Sequence, residues 1–137
     1  MKIIELKKVP KNKIGKLHKN GTELKPHEEY TANLLKLYGF TIEVIRPTNT
    51  PKSKNPDFLI GGAIWETKSP TTSNRKTIRK RMHEASEQAN RLIVDLRRVK
   101  NDYPKVEKEI IGRFCNKNTF RKMILIKNDG SVWEYRK

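Results

Sequence analysis

Three charged residues on two short apolar segments are the first candidates for chemistry in this sequence. The stretch NPDFLIGGAIWETKSP carries Asp57 in one segment and Glu66 and Lys68 in the other, on either side of a Gly-Gly pair. An acid inside strand-like sequence is costly to bury unless it has a partner. This arrangement therefore indicates either a solvated surface or a catalytic site.

The Gly-Gly pair predicts a two-residue hairpin loop, and this loop decides which side chains meet. In that register Phe58 pairs with Trp65, and Asp57 lies directly opposite Glu66. Lys68 shares the face of Glu66, because alternate residues of a strand point the same way. Opposed residues have Cβ atoms about 4.5–5.5 Å apart, which is close enough for two carboxylates to share a divalent cation. The alternative is that Lys68 neutralises Glu66 on a solvated face.

The helix predicted before the hairpin contributes a further acid. Pro26 suits a helix first turn, and the helical pattern continues until Gly39. Within it, Glu28 aligns with the apolar residues Ala32 and Leu35 and is therefore expected to face inward. There it could join the hairpin acids, although an acid in a first turn also simply favours the helix dipole.

A second helix is predicted from Arg75 to Asn90, with Asn74 or Ser73 as its cap. Its apolar stripe comprises Ile78, Met82, Ala85 and Ala89. Gln88 lies beside that stripe, where it either contacts the site or faces solvent. The rest of the helix is strongly basic, as expected of a surface that binds phosphates. The candidate nucleic-acid-binding residues are Arg75, Lys76, Arg79, Lys80 and Arg91.

The composition indicates a soluble, single-domain protein with a polyanionic partner. The chain has 137 residues, a formal net charge of +16 and a pI of about 10.1. Such an excess of positive charge opposes compaction, and a polyanion relieves it: nucleic acid first, an anionic membrane or an acidic protein next. No apolar run reaches the length of a membrane span or a signal peptide core. The single cysteine, Cys115, excludes an internal disulfide.

The remaining segments complete a mixed α/β protein. The runs FTIEVI and RLIVDL predict strands, Pro104 opens a helix to about Phe114, and KMILIK and SVWEYR predict a hairpin across residues 128–130. Residues 46–56 predict a loop. Residues 1–25 predict a basic N-terminal arm or lead-in with a strand near its start, and residues 26–137 the main domain. From residue 26 to 96 the order is helix, three strands, helix, strand.

This order, together with the motif residues, resembles the PD-(D/E)XK nuclease superfamily. Pro56-Asp57 and Glu66-Thr67-Lys68 correspond to the two halves of its signature. Glu28 corresponds to its first-helix glutamate, and Gln88 to a glutamine that some branches carry on the second helix. The resemblance implies an αβββαβ restriction-endonuclease-like core over residues 26–96, followed by a C-terminal helix and β-hairpin.

The resemblance implies a metal-dependent endonuclease that hydrolyses phosphodiester bonds. Asp57, Glu66 and Glu28, with the backbone carbonyl of Thr67, would hold one or two Mg²⁺ or Mn²⁺ ions, which prefer oxygen ligands. The primary role of Lys68 would be electrostatic and a role as a base would be secondary, because a lysine between carboxylates and a phosphate stays charged. Gln88 would steady the site.

In its small size and in the segments WETKSP and SEQANRLIVDL, the chain also resembles the C-terminal toxin domains of contact-dependent growth inhibition proteins. This narrower resemblance implies a tRNA-cleaving toxin with an acidic immunity protein as its partner. It also implies secretion as part of a larger effector and action in the cytoplasm of the target cell. Because the chain begins at Met1 without a delivery region, it is expected to be an excised fragment or a stand-alone relative.

Two other functions stay open at this level. A DNA endonuclease of repair, recombination or restriction uses the same core and the same ions. A non-catalytic, basic nucleic-acid-binding module would make the acids structural. A metal-free ribonuclease mechanism would need the three histidines, which nothing in the sequence pairs: His18, His27 and His83. Trp65 and Trp133 are expected in the core or on a sheet face, with base stacking as the alternative.

Overall fold

The computed structural model describes residues 1–45 and 57–137, and it confirms the mixed α/β class. The chain divides into two compact units. The N-terminal unit is Lys7–Trp65, and the C-terminal unit is Met1–Leu6 together with Glu66–Lys137. The predicted loop 46–56, including Pro56 of the motif, lies outside the described residues.

The N-terminal unit contains a short 3-10 helix and a helix α1 beside antiparallel and parallel strands. Its elements are the 3-10 helix Lys11–Lys13, β2 (Leu17–His18), α1 (Pro26–Lys36), β3 (Ile42–Ile45), β4 (Asp57–Ile60) and the first half of β5 (Ala63–Lys68). β2 pairs with β3 in parallel, and β3 with β4 and β4 with β5 are antiparallel. The strands β3 (IEVI) and β5 (AIWETK) are rich in β-branched and aromatic residues, which favour strands.

Helix α1 begins at Pro26, as predicted, and ends at Lys36, earlier than Gly39. Gly39 has a φ of +89° and turns the chain towards β3. Gly15 lies against this turn, and a Cβ there would be 1.8 Å from the carbonyl oxygen of Phe40. Only glycine therefore permits this approach of the two backbones.

The C-terminal unit contains the strands β1 (Lys2–Glu5), β6 (Arg91–Asp95), β7 (Lys122–Ile126) and β8 (Val132–Arg136) and the second half of β5. Their order is β1-β8-β7-β6-β5. β1 and β8 are antiparallel to their neighbours, whereas β5, β6 and β7 run parallel. Helices α2 (Arg75–Gln88) and α3 (Tyr103–Asn116) form the connections between the parallel strands, as such crossovers require.

Both helices of the C-terminal unit pack on one face of its strands. The buried cluster between these helices and the strands includes Ile78, Met82, Leu92, Val94 and Phe114. The cap of α2 is Asn74, whose Oδ1 accepts a hydrogen bond of 3.1 Å from the backbone N–H of Thr77. α2 ends at Gln88, two residues before the predicted end, and α3 extends to Asn116 rather than Phe114.

The predicted order of elements from residue 26 to 96 is confirmed, and so is the C-terminal hairpin, in which Gly130 has a φ of +84°. Residues 1–25, predicted as a basic arm or lead-in, carry β1, the 3-10 helix and β2. Within residues 1–45 and 57–137, no helix is both long and apolar enough to span a membrane.

Candidate active site

The Gly-Gly hairpin has the predicted loop and register. Gly61 and Gly62 have φ values of +58° and +80°, which are the positive angles of a type I′ turn. The observed pairs are Phe58 with Trp65, Leu59 with Ile64 and Ile60 with Ala63. Asp57 is half-buried at the first position of β4 and pairs with Ile45 of β3. The next predicted pair, Asp57 with Glu66, joins residues assigned to different units and stays a prediction.

Glu66 and Lys68 form a buried ion pair on β5. The Nζ atom of Lys68 lies 3.3 Å from Oε1 of Glu66, and the side chains are only 14% and 5% exposed, respectively. Their register partners on β6 are Leu92 and Val94, which belong to the apolar cluster under α2. Residues in register on neighbouring strands share a face, so the pair lies on the helix-covered face. It is therefore not on a solvated surface.

Glu28 faces inward on α1, as predicted. It is 7% exposed, and its neighbours on the same side, Ala32 and Leu35, are fully buried. Its Oε1 accepts a hydrogen bond of 2.8 Å from the backbone N–H of Lys25. An acid in this position satisfies an N–H group that the helix start leaves unpaired. The carboxylate of Glu28 therefore already stabilises the first turn of α1.

The described residues contain no group of three or more His, Cys, Asp or Glu side chains arranged to hold a metal ion. Mg²⁺ needs fewer protein ligands than this, because it keeps several waters and is bound by one or two carboxylates plus substrate phosphates. Asp57 and Glu66 are hard oxygen donors of the kind that Mg²⁺ and Mn²⁺ prefer. Glu28, whose Oε1 is bonded to the N–H of Lys25, is the least suited of the three predicted ligands.

Gln88 and Arg91 lie on either side of the turn between α2 and β6. Gln88 is the last residue of α2, and it is exposed. Arg91 is half-buried at the start of β6 and donates from Nη1 to Oδ1 of Asn90 at 3.2 Å.

The basic residues at the start of α2 fall into two groups. Lys76 and Lys80 are exposed. Arg75 and Arg79 contact a carboxylate of α3: Nε of Arg79 donates to Oε1 of Glu109 at 2.7 Å, and Nε of Arg75 lies 3.4 Å from Oε2. The predicted phosphate-binding face is therefore partly organised by an acid from the next helix.

The histidine of the C-terminal unit has partners of its own. Nε2 of His83 lies 3.1 Å from the carboxylate of Glu87, and Nδ1 lies 2.9 Å from Nζ of Lys117. His18 is exposed and His27 half-buried, and both belong to the N-terminal unit.

Both tryptophans lie where the core or sheet-face prediction puts them. Trp65 is buried on β5. Trp133 of β8 donates from Nε1 to Oγ of Ser131 at 2.9 Å, and Nζ of Lys127 lies 4.3 Å from the centre of its ring. These contacts give Trp133 a structural role at the end of the C-terminal hairpin.

Sequence reasoning missed two acids that hold arginines, the buried Asp95 and the partly buried Glu109. Asp95 ends β6 and accepts hydrogen bonds from Arg97, at 2.7 Å from Nη2 to Oδ2 and 3.0 Å from Nε to Oδ1. Glu109 also accepts from Nε of Arg113, one helical turn later, at 3.1 Å. The Glu109 and Arg113 spacing of i and i+4 was the available signal, since such pairs are neighbours on a helix.

A match to a protein-family model identifies the family of this chain. The model of the family described as the contact-dependent growth inhibition CdiA C-terminal domain matches residues 54–132, which is more than half of the sequence. The chain belongs to this family. It is therefore a toxin domain of contact-dependent growth inhibition, a form of competition between bacteria. The matched segment of this CdiA C-terminal domain contains Asp57, Glu66, Lys68 and Gln88, whereas Glu28 precedes it.

A solved structure supports the same fold for this CdiA C-terminal domain. A chain from the "CdiA-CT/CdiI toxin and immunity complex from Burkholderia pseudomallei" matches with a TM-score of 0.66 and 22% sequence identity. The match covers 90% of this chain and 100% of that chain. At this identity the likeness shows a shared fold. No curated protein matches the sequence.

Proposed function

We propose that this CdiA C-terminal domain is a metal-dependent nuclease that hydrolyses phosphodiester bonds, with tRNA as its favoured substrate. The observation that carries the proposal is the buried Glu66–Lys68 pair on the strand that leaves the Gly-Gly hairpin. Removing two such charges from water costs several kcal/mol per ion, which a purely structural pair of apolar residues would avoid. The net charge of +16 suits a polyanionic substrate, and toxins of this family are typically enzymes.

In this proposal the carboxylates of Asp57 and Glu66 hold Mg²⁺ or Mn²⁺, with Glu28 as a further ligand of one or two ions. The metal, when bound, supplies a water of lowered pKa and offsets charge on the phosphate. Lys68 holds a fixed positive charge beside the phosphate, where negative charge develops during hydrolysis. Because Glu66 holds the ammonium of Lys68 in place, this charge needs little reorganisation during the reaction.

Residues of α2 and of the start of β6 are proposed to bind and orient the substrate. The exposed amide of Gln88 is proposed to contact the nucleic acid or a water at the site. Cationic side chains neutralise phosphates without reading the base sequence, so they orient the chain on its substrate. The residues proposed for this role are Arg75, Lys76, Arg79, Lys80 and Arg91.

The test is incubation of the purified chain with total tRNA and with plasmid DNA, each with Mg²⁺ and with EDTA. Cleavage of tRNA only in the presence of Mg²⁺ is the expected result. Lys68→Met and Asp57→Asn are expected to be inactive while circular dichroism shows them folded, and Arg136→Met is the matched control that should stay active. Cleavage that survives EDTA, or wild-type activity of Lys68→Met, would contradict the metal mechanism.

The same experiment separates the alternatives. Cleavage of plasmid DNA without cleavage of tRNA supports a DNA endonuclease. If neither nucleic acid is cut but both are bound, the chain is a binding module, and its buried acids are structural.

We also propose an acidic immunity protein as a partner, with delivery as part of a larger secreted effector and action in the cytoplasm of the target cell. The support is the net charge of +16 and the structural likeness to a chain of a toxin and immunity complex. Attraction between opposite charges is screened by salt. A cognate immunity protein is therefore expected to bind less tightly at 0.5 M than at 0.05 M NaCl, on the order of a tenfold difference. Affinity that does not change with salt would contradict an electrostatic interface.

A further inference from the structure

A groove in the C-terminal unit lies along the side of α3 that borders the first residue of α2. Its volume is about 510 Å³. The residues that line it are Arg75, Lys105, Lys108, Glu109, Gly112, Arg113 and Asn116. Apart from Arg75 they follow helical spacing on α3, so they form one continuous stripe beside the buried stripe of Val106, Ile110 and Phe114.

Glu109 organises the arginines of this groove. Its side chain is 11% exposed and contacts the Nε atoms of Arg79, Arg113 and Arg75 at 2.7, 3.1 and 3.4 Å. The hydrogen bond from Arg79, followed by that from Arg113, holds the pKa of Glu109 below its usual range despite its burial. Each contact uses Nε, and a guanidinium carries further N–H donors on its two terminal nitrogens. Glu109 therefore orders three guanidinium groups from two helices.

Gly112 lines the groove without a side chain. It lies in the interior of α3, where glycine lowers helix stability relative to alanine. A Cβ atom at this position would meet no atom within 4 Å, so close packing does not require a glycine. The missing side chain instead leaves the space between the flanking cations clear.

We propose that the α2–α3 groove binds the phosphodiester backbone of the nucleic-acid substrate. The inference rests on the proposed nuclease function, since it takes this polyanion to be the molecule that the toxin cuts. Four cationic residues and one carboxylate line the groove, which leaves a net positive charge, and guanidinium groups match phosphate oxygens in bidentate geometry. An acidic protein would be the rival ligand. None of the lining residues is aliphatic or aromatic, whereas the cores of protein interfaces are enriched in aromatic side chains.

The test measures binding of a fluorescein-labelled single-stranded RNA by anisotropy in EDTA, with a gel to show that the RNA stays intact. Lys105→Ala/Lys108→Ala is expected to bind RNA about tenfold more weakly near 0.15 M salt, because each lost phosphate contact reduces the number of counterions that binding releases. The slope of log K against log salt should become less steep by about 1 to 2. The matched control, Lys2→Ala/Lys100→Ala, loses the same charge from exposed positions outside the groove and should bind within about twofold of wild type.

A pair of substitutions at Gly112 tests the groove without removing a cation. Gly112→Glu and Gly112→Lys add side chains of similar helix propensity and opposite charge into open space. Gly112→Glu is expected to weaken RNA binding several-fold, and Gly112→Lys to preserve or strengthen it. Equal affinity of the two variants, or an unchanged salt slope for the lysine double variant, would overturn the proposal.

Poly-L-glutamate serves as the probe for an acidic protein in the same assay. If the lysine double variant loses poly-L-glutamate binding but keeps its RNA affinity, the groove receives an acidic protein, and the nucleic-acid proposal is wrong. Failure of the proposed nuclease function has a different outcome: RNA binding would depend on the groove while tRNA and DNA stay uncut with Mg²⁺.

Discussion

Two strands of the C-terminal unit carry the same short pattern, an acid followed two residues later by a cation. On β5 the pair is Glu66 with Lys68, and on β8 it is Glu134 with Arg136, where Nε of Arg136 donates to Oε1 of Glu134 at 2.7 Å. The pair on β5 is almost wholly buried. On β8 the side chains of Glu134 and Arg136 are 17% and 44% exposed.

The two pairs lie on opposite faces of their strands. Glu66 is in register with Leu92, under α2, whereas Glu134 is in register with Ile124. Tyr135, which follows Glu134, points into the helix-covered cluster, so Glu134 points to the opposite face. An exposed pair contributes about 0–1 kcal/mol to stability, and a buried pair is costly to desolvate. An acid and a cation at this spacing therefore indicate a site only when their own side chains are known to be buried.

The largest expected effect separates the two pairs by activity. Lys68→Met should lower tRNA cleavage by about 10²–10³-fold, because the fixed charge that stabilises the transition state is lost. Arg136→Met should leave cleavage within about twofold of wild type, since the side chain of Arg136 is exposed at the end of β8. Initial rates on tRNA with Mg²⁺ measure both. Comparable losses in the two variants would mean that burial does not mark the active pair.

The second effect is on stability. Lys68→Met should lower the free energy of unfolding by about 3 kcal/mol, because it leaves the buried carboxylate of Glu66 without its lysine. Adding Glu66→Gln should restore most of that loss, whereas Arg136→Met should cost less than about 1 kcal/mol. Urea denaturation followed by circular dichroism gives the three values. The buried-pair interpretation fails if Lys68→Met unfolds at the wild-type urea concentration.

Glu109 provides a carboxylate between these extremes, since its side chain is only 11% exposed but those of its arginine partners are 31% to 66% exposed. Its folded-state pKa is lowered, chiefly by Arg79, so its stabilisation is present above the ordinary carboxyl range and is lost as the pH falls through the lowered pKa. Glu109→Gln should therefore destabilise the chain by about 1 kcal/mol at pH 7. The difference should shrink progressively below about pH 4.5. A difference that is the same at pH 3 and pH 7 would exclude this linkage.

The smallest effect is on the response to salt. A double-mutant cycle for Glu134 and Arg136 should give a coupling energy below about 0.5 kcal/mol, which falls further in 1 M NaCl because the pair is screened by solvent ions. The corresponding cycle for Glu66 and Lys68 should change little with salt, because buried pairs are screened less. Equal salt responses would remove the distinction between the strands.

Much of the fold could be predicted because its determinants are local. The Gly61-Gly62 pair predicted a two-residue hairpin loop and with it the pairing of Phe58 with Trp65, because glycine readily takes the positive φ values that both positions have in the structure. Pro26 and Asn74 marked helix starts for the same kind of reason, since the first is preorganised for a helix and the second caps one. The predicted ends of the helices were less accurate, because the last turns of α1 and α2 depend on the path of the segment that follows each helix.

The candidate site was predicted only in part. The inward position of Glu28 followed from helical spacing, but its bond to the N–H of Lys25 depends on the backbone at the start of α1. Arg75 and Arg79 were predicted to bind phosphates, and the sequence did not indicate that Glu109, 30 residues after Arg79, would contact them. Such a pairing is set by the packing of α2 on α3, which no local pattern encodes.

The amino-acid sequence by itself determined the order of the elements from Pro26 onward and the register of the Gly-Gly hairpin, because steric limits on φ and hydrophobic periodicity act within a few residues. It also determined the net positive charge. Only the tertiary structure decided that Glu66 and Lys68 lie on the helix-covered face while Glu134 and Arg136 lie on the other. Burial depends on what packs above a strand, and that partner comes from distant parts of the chain.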